Sequence, residues 1–208
     1  MGTNVYIDGF NLYYGCLKGS PYRWLDVEAL CGVLLPKDEI NQVRYFTARI
    51  SARPGSDPGP AHQDAYLRAL ATLPKTTVHE GEFYVSRPRM PLASPPPGGP
   101  ATVQVVKTEE KGSDVAMATY LVLDAAQGRC QTAVIITNDS DLREPIRVVR
   151  VELGLTTGVI NPHPARRRSR ALTATFFKQI RPSALARSQL PDTLSDAQGR
   201  VITRPGGW

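Results

Sequence analysis

The stretch 133–142, AVIITNDSDL, constrains this chain more than any other. Its apolar run, Ala133, Val134, Ile135 and Ile136, is short and largely β-branched, the composition of a strand buried on both faces. Thr137 and Asn138 end the run, and two carboxylates follow, Asp139 and Asp141, with Ser140 between them. Beyond them Leu142, Ile146, Val149 and Leu153 recur with helical spacing. Asp139 is therefore expected to cap a helix, with Pro145 tolerated near its first turn. Both acids then stand at the C-terminal end of a buried strand, the side on which open α/β sheets bind ligands. The competing structural reading is that two acids merely complement a helix dipole.

The same arrangement occurs at the start of the chain. Val5, Tyr6 and Ile7 read as a strand that ends at Asp8-Gly9, before Asn11 and a helix reaching Cys16. A helix is expected over 27–35, capped by Asp26 and stopped by Pro36, then a strand over 42–50. Residues 61–73 are amphipathic, with Tyr66, Leu70 and Leu73 inward, and 76–85 form a third, less buried strand carrying His79, Glu80 and Glu82. The segment 87–101 holds six prolines and two glycines and is expected to be an irregular loop. Residues 102–107 return to strand. Ser113 then caps an apolar helix over 115–126 that Gly128 closes, leaving Asp114 in its first turn. A last short strand spans 156–160. Strands and helices alternating in this way imply a parallel three-layer α/β sheet.

The 208 residues suit one domain over 1–180 followed by a basic tail over 181–208 that packs on it or extends from it. At 41% hydrophobic residues the chain has enough apolar material for a core. Cys16, Cys31 and Cys130 are scattered, odd in number and lack any CxxC, which suits reduced thiols and a cytoplasmic protein. No signal peptide, bilayer-length apolar run or myristoylation pattern is expected, since Tyr6 stands where Ser or Thr is required. The net charge of +6 is unevenly spread. From His163 onward nine Lys and Arg face two Asp, whereas the preceding residues hold sixteen cations against seventeen acids. The asymmetry favours a polyanionic partner approaching from one side.

Asp8, Asp114, Asp139 and Asp141 each occupy a strand end or a helix start, and a parallel sheet can bring these places to one edge. Four adjacent carboxylates repel one another and raise their own pKa values unless a cation lies among them. Oxygen donors in this number suit Mg2+ or Mn2+, which can activate water and stabilise the leaving oxygen of a phosphodiester. His62, His79 and His163 are too scattered for a zinc site. There is no P-loop, no dinucleotide-binding glycine pattern, and no histidine beside an obvious nucleophile.

Three blocks carry a resemblance to a known family: VYIDGFNLYYG at 5–15, KGSDVAMATYLVLDA at 111–125 and TNDSDL at 137–142. Their order and spacing resemble the NYN domains, the LabA-like branch of the PIN-like nucleases, from the N-terminus to about Ile180. The resemblance implies a Rossmann-like sheet and a metal-dependent ribonuclease centre. By position, Asp8, Asp114, Asp139 and Asp141 match the family's acids and Asn11 its Asn near the first strand. Thr137-Asn138 departs from a common Ser-Gly. The C-terminal tail also resembles endings of some bacterial members.

On this reading Asp8, Asp139 and Asp141 bind metal, and Asp114 is a further ligand or a water-orienting base. Asn11 orients a carboxylate or a phosphate. Lys111, Thr137, Asn138 and Ser140 are expected to contact substrate, and Arg166, Arg167, Arg168 and Arg170 to hold flanking phosphates. The expected partner is RNA, single-stranded by preference, with no membrane and with homo-oligomerisation left open. Two rival readings stand beside the ribonuclease. One is a non-catalytic RNA-binding or scaffold module, which has no use for mutually repelling acids. The other is an aromatic (pyridine) ring hydroxylase, an activity ascribed to some bacterial relatives. The chain carries no flavin or haem signature to explain it.

Overall fold

The computed structural model describes residues 2–50 and 58–207, so Met1 and Trp208, at the ends of the expected domain and tail, fall outside it. The first half of the chain runs β1 (Thr3–Asp8), α1 (Gly9–Leu12), α2 (Val27–Leu34), β2 (Ile40–Ala48), α3 (Gly59–Leu70), β3 (Thr76–Ser86), β4 (Arg89–Pro91), β5 (Thr102–Gln104) and β6 (Lys107–Lys111). The second half adds α4 (Ser113–Ala126), β7 (Thr132–Ile136), α5 (Arg143–Arg147), β8 (Thr156–Asn161), β9 (Phe176–Gln179), α6 (Pro182–Ala186), β10 (Thr193–Ser195) and β11 (Val201–Thr203). Seven strands form one sheet in the order β6-β3-β2-β1-β7-β8-β9. All pairings are parallel except β3 with β6. The architecture is a mixed, mostly parallel α/β sheet with helices on both faces. Its six parallel strands follow the 3-2-1-4-5-6 order of doubly wound sheets.

Chain progression reverses direction at β1, which pairs with β2 on one side and β7 on the other. All six residues of β1 are buried, as expected for a central strand covered on both faces. Alternation then sorts the side chains. Val5 and Ile7 join Val43, Tyr45, Val134 and Ile136 against α2, α3 and α6. Tyr6 joins Phe46, Ala133 and Ile135 against α4 and α5. Asp8 and Thr137 have the parity of Tyr6 and Ile135, so the pleat directs them towards the face that α4 covers.

On that face lies a buried ionic network that local sequence patterns do not foreshadow. Asp124 of α4 is fully buried, and its carboxylate accepts from Arg44 at 2.8 and 3.1 Å, Arg129 at 2.9 Å and the Tyr6 hydroxyl at 3.0 Å. Tyr6 and Arg44 are register partners on β1 and β2, so one point on the sheet receives one point on the helix. Burial alone would raise the pKa of Asp124, but the hydrogen bonds from Arg44, Arg129 and Tyr6 hold it below the usual carboxylate range. Arg44 also stacks over Tyr120, 4.5 Å from its ring centre.

Several expectations need correction. β6 is antiparallel, which makes the sheet mixed. The expected strand over 102–107 divides into β5 and β6. The proline-rich segment is not wholly irregular, because β4 pairs with β5 as a hairpin. Residues 156–160 do not form the last parallel strand, since β9 continues the sheet beyond β8. Ser113 is not the cap of α4. Gly112 takes that place at φ 97°, a conformation that suits glycine, and the Glu110 carboxylate accepts the Ser113 amide. The helix expected after Asp139 is broken into a 3-10 turn (Ser140–Leu142), α5 and a π-helical turn (Val148–Glu152). Leu142, Ile146 and Val149 are nevertheless buried, as their spacing requires.

The C-terminal segment packs on the sheet domain. Leu185, Leu190 and Ile202 enter the core, the Leu190 amide donates to the Trp24 carbonyl, and the Trp24 indole donates to the Pro191 carbonyl. No helix among the described residues is long and apolar enough to cross a membrane.

Removing Asp124 leaves Arg44 buried without its charge partner. Asp124→Ala is expected to destabilise the protein by about 3–5 kcal/mol in urea unfolding at neutral pH. The contribution should persist at neutral pH and fade only as pH falls through the depressed pKa of Asp124, where the parent is also protonated.

Candidate functional site

The candidate site is built at the C-terminal ends of β1, β7 and β8, with α4 entering from the side. Asp8 caps α1, its Oδ1 accepting the Asn11 amide at 2.8 Å, while its Oδ2 accepts the Thr137 hydroxyl at 3.0 Å. The Thr137 hydroxyl also accepts the Asp139 amide at 3.1 Å. One side chain thus fixes the first acid of the β1 turn against the first acid of the β7 turn. On the other side Gly9 lets the β1 turn lie close against β2, because a Cβ there would stand 2.7 Å from the Phe46 carbonyl oxygen. Asp139 caps the following 3-10 turn through the Asp141 amide at 3.0 Å, so the expected capping role is present as well.

The charges of Asp8, Asp139 and Asp141 reach Asp114, and that of Asp139 reaches Asp8. Asp114 is pushed up to about 6, first by burial and then by the charges of Asp8, Asp139, Glu110 and Asp141. Asp8 is also raised, chiefly by burial with a further contribution from Asp139, against the opposing hydrogen bonds from Asn11 and Thr137. Glu110 belongs to this electrostatic group although no sequence pattern gives it a role. It stands immediately before the Lys111-Gly112-Ser113-Asp114 run, and its closeness follows from the β6-to-α4 turn.

Asn11 forms the second layer of the site. Its Oδ1 accepts the Asn138 amide at 3.1 Å and lies 3.0 Å from His163 Nε2. An oxygen already accepting one hydrogen bond requires a donor opposite, which places the proton of His163 on Nε2. Burial and then the charge of Arg167 lower the pKa of His163 and favour that neutral form. In the sequence His163 is one of three scattered histidines, with nothing nearby to single it out. The signal that could have found it is its place just past the end of β8, where the acids stand on β1 and β7.

Asn138 holds the basic loop against the site. Its Nδ2 donates to the Arg167 carbonyl at 2.9 Å, and its Oδ1 accepts the Ser169 amide at 2.7 Å. The segment carrying Arg166, Arg167, Arg168 and Arg170 is therefore tied to the turn carrying Asp139, and all four side chains are exposed. Arg168 is further placed over the Phe177 ring at 4.6 Å. Ser140 is exposed beside Asp141. Lys111 is exposed at the end of β6, where its nearest acid is Glu109 at 3.9 Å. Thr137 departs from expectation: it is fully buried and its hydroxyl is engaged by Asp8 and Asp139. It positions the acids and presents nothing to a substrate.

A hard cation is the group that the donor set would suit. Among the described residues, no three His, Cys, Asp or Glu side chains are spaced to hold an ion by protein atoms alone. An ion held here would have to keep much of its water and take only one or two carboxylates, as Mg2+ commonly does. Asp8 and Asp139 oxygens retain unused lone pairs, and Asp114 is raised first by burial and then by the acids around it.

The raised pKa has a consequence for stability. An acid whose folded pKa lies above its unfolded value lowers stability once it ionises, so the penalty is absent near pH 4 and complete above about pH 6. Asp114→Asn is expected to raise stability at pH 7.5 in EDTA by roughly 1 kcal/mol, allowing for solvent screening of a half-exposed group. The gain should shrink towards zero in thermal melts at pH 4.

Comparison with known proteins shows the family and a shared fold. The chain matches the NYN domain over residues 2–180. It is 31% identical over 237 aligned positions to 6-hydroxy-3-succinoylpyridine 3-monooxygenase HspA of Pseudomonas putida (strain DSM 28022 / S16), covering 99% of this chain and 75% of that protein. The crystal structure of VPA0982 from Vibrio parahaemolyticus RIMD 2210633, a protein of unknown function, shares the fold. Its TM-score is 0.55 at 17% identity, over 90% of this chain and 95% of its own. The matched span contains the whole seven-stranded sheet and every residue of the acid cluster, and the chain belongs to the NYN domain family.

Proposed function

We propose that the protein is a metal-dependent ribonuclease of PIN-like type that hydrolyses RNA phosphodiester bonds at the acid cluster. The observation that carries this reading is the electrostatic coupling of Asp8, Asp139 and Asp141 with Asp114, beside an exposed arginine loop. Carboxylates held in mutual repulsion are unfavourable for a purely structural module, and a bound divalent cation relieves them. Asp8, Asp139 and Asp141 would supply oxygen ligands. When bound, Mg2+ or Mn2+ supplies an activated water and stabilisation of the leaving oxygen.

The chain's own groups do the rest. Asp114, with a pKa near 6, accepts a proton from the attacking water more readily than an ordinary aspartate does. Asn11 keeps the β7 turn and His163 in register with Asp8. Arg166, Arg167, Arg168 and Arg170 face the flanking phosphates, for which the guanidinium fork is suited. Single-stranded RNA is the favoured substrate because it can bend into a site at the rim of a sheet.

A second reading draws on the monooxygenase relative, whose similarity spans nearly this whole chain. In that case the same rim would take a hydroxylated pyridine bearing a carboxylate, with the arginines as its counter-charge. Oxygen uptake in the presence of 6-hydroxy-3-succinoylpyridine and a reductant, with no nuclease activity, would favour it. A third reading, a non-catalytic RNA-binding module, predicts affinity without cleavage.

Incubation with mixed single-stranded RNA and DNA, in Mn2+ or in EDTA, separates these readings. Cleavage should require the cation, and Asp139→Asn should reduce it by at least about a hundredfold, the usual scale for one catalytic group. The same substitution should change unfolding stability by no more than about 1 kcal/mol. Marked unfolding would instead assign Asp139 to capping alone.

Replacing Arg166, Arg167, Arg168 and Arg170 by Ala tests the loop. RNA affinity should fall and its dependence on salt should flatten, by about 0.7 in the log–log slope for each phosphate left without a cation. Cleavage at saturating RNA should fall much less, because the acids are untouched. An unchanged salt titration would remove the loop from the binding surface.

A further inference from the structure

We infer that His163 is a positioning residue of the acid cluster, holding the side chain of Asn11 so that its amide NH2 is turned to Asp8. The inference rests on the cluster proposed above as a cation site and names a residue that supports it. Asn11 Oδ1 takes the Asn138 backbone N–H at 3.1 Å, and a backbone N–H can only donate. That contact decides which end of the Asn11 amide is oxygen. His163 Nε2 lies 3.0 Å from the same oxygen and must donate as well. Both lone pairs of Oδ1 are then occupied. The NH2 end is left for Asp8, which takes hydrogen bonds from the Asn11 backbone and from its side chain.

His163 is held more firmly than a half-buried loop residue requires. Its backbone N–H donates to Asn161 Oδ1 at 2.9 Å, and its carbonyl accepts from Gln179 Nε2 at 2.6 Å. Asn161 is buried at the end of β8, and its Nδ2 donates to Gln179 Oε1 at 3.0 Å, so the two clamping side chains fix each other. Gly15 lets the turn after α1 lie against Pro162, since a Cβ there would stand 3.0 Å from the Pro162 carbonyl oxygen. The turn 161–163 thus has little freedom, and the one hydrogen bond its imidazole makes among the described residues goes to Asn11. A carboxylate whose partner is fixed in this way keeps one orientation, as a ligated cation requires. Removing such an outer partner typically alters metal affinity about 10- to 100-fold. The bond to Asn11 needs a donor and no charge. Gln at position 163 offers an N–H of similar reach, whereas Ala offers none.

The test combines calorimetric titration of the RNA-free protein with Mn2+ and NMR of the metal-free protein, which reads hydrogen exchange at the Asn11 side-chain amide. His163→Ala should weaken Mn2+ binding by about 10- to 100-fold and speed exchange at that amide. His163→Gln should restore most of both. In an Asn11→Ala background His163→Ala should cost little further, because the two side chains act as one unit. Imidazole nitrogen shifts of the parent should show the proton on Nε2. A lower melting temperature in His163→Ala with the parent's Mn2+ affinity would mark a staple for the loop and overturn the inference. Additive losses in the double variant, failure of Gln to restore, or a proton on Nδ1 would overturn it too. Should the parent neither bind Mn2+ nor cleave RNA, the metal-dependent reading fails, and exchange at Asn11 decides the inference alone. Exchange unmoved by His163→Ala overturns it; exchange sped by Ala and slowed again by Gln sustains it.

Discussion

The carboxylate of Asp124 has no access to water, and its neutralisation determines how α4 lies on the sheet. Arg44 and Tyr6 reach it from adjacent strands, and Arg129 closes it from the turn after the helix. A buried ion pair contributes little net stability, because desolvation cancels much of the attraction, but it penalises any other placement of its partners. The apolar contacts of Met117 and Leu121 would tolerate a helix that slides or rotates slightly. The bidentate Arg44–Asp124 contact does not. About 15 Å along the same helix, at 1.5 Å per residue, stands Asp114. Its proximity to Asp8 and Asp139 is a consequence of that anchor.

The rim of the sheet places opposite charges side by side without letting them cancel. Acids gather at the ends of β1 and β7 and at the start of α4, while arginines gather on the loop after β8. Asn138 holds the two groups in register, since its amide bonds the loop backbone, while Arg168 lies over Phe177 and not over an acid. Had the arginines bonded the acids directly, the pKa of Asp114 would be depressed. It is raised instead.

The fold is shared with a protein of unknown function and, through sequence similarity, with a protein named as a monooxygenase. A scaffold of this kind does not choose its chemistry, which depends on the side chains at the strand ends. Here these side chains are mostly carboxylates, with one neutral histidine hydrogen-bonded to an asparagine. That composition is the ground of the hydrolytic reading proposed above. The arginine-rich surround is compatible with any anionic substrate, which is why the competing hydroxylase reading has to be decided by assay.

Much of this was legible in the chain itself. Local patterns are enough to identify β1 and β7, because a buried strand needs only a short apolar run and its end is marked by the acids that follow. Asp26 and Asp139 could be read as caps for the same reason: a cap bonds amides two or three residues away. The three NYN blocks contain Asp8, Asp114, Asp139 and Asp141, and in the fold the charges of the other three reach Asp114. What the chain could not show depends on contacts between distant segments. Asp124 looks like one more polar residue on a helix until Arg44, 80 positions away, is placed beneath it. Thr137 looks like a surface residue of a turn until Asp8, 129 positions away, takes its hydroxyl. β9 and the antiparallel β6 were missed because edge strands carry weak alternation and are defined by the neighbour they pair with. His163 acquired its place only when parallel pairing brought strand ends together, and Glu110 when the β6-to-α4 turn set it beside Asp114. Periodicity and capping act over a few residues and are written in the sequence, whereas burial, charge coupling and strand partnership arise from packing and were decided by the tertiary structure.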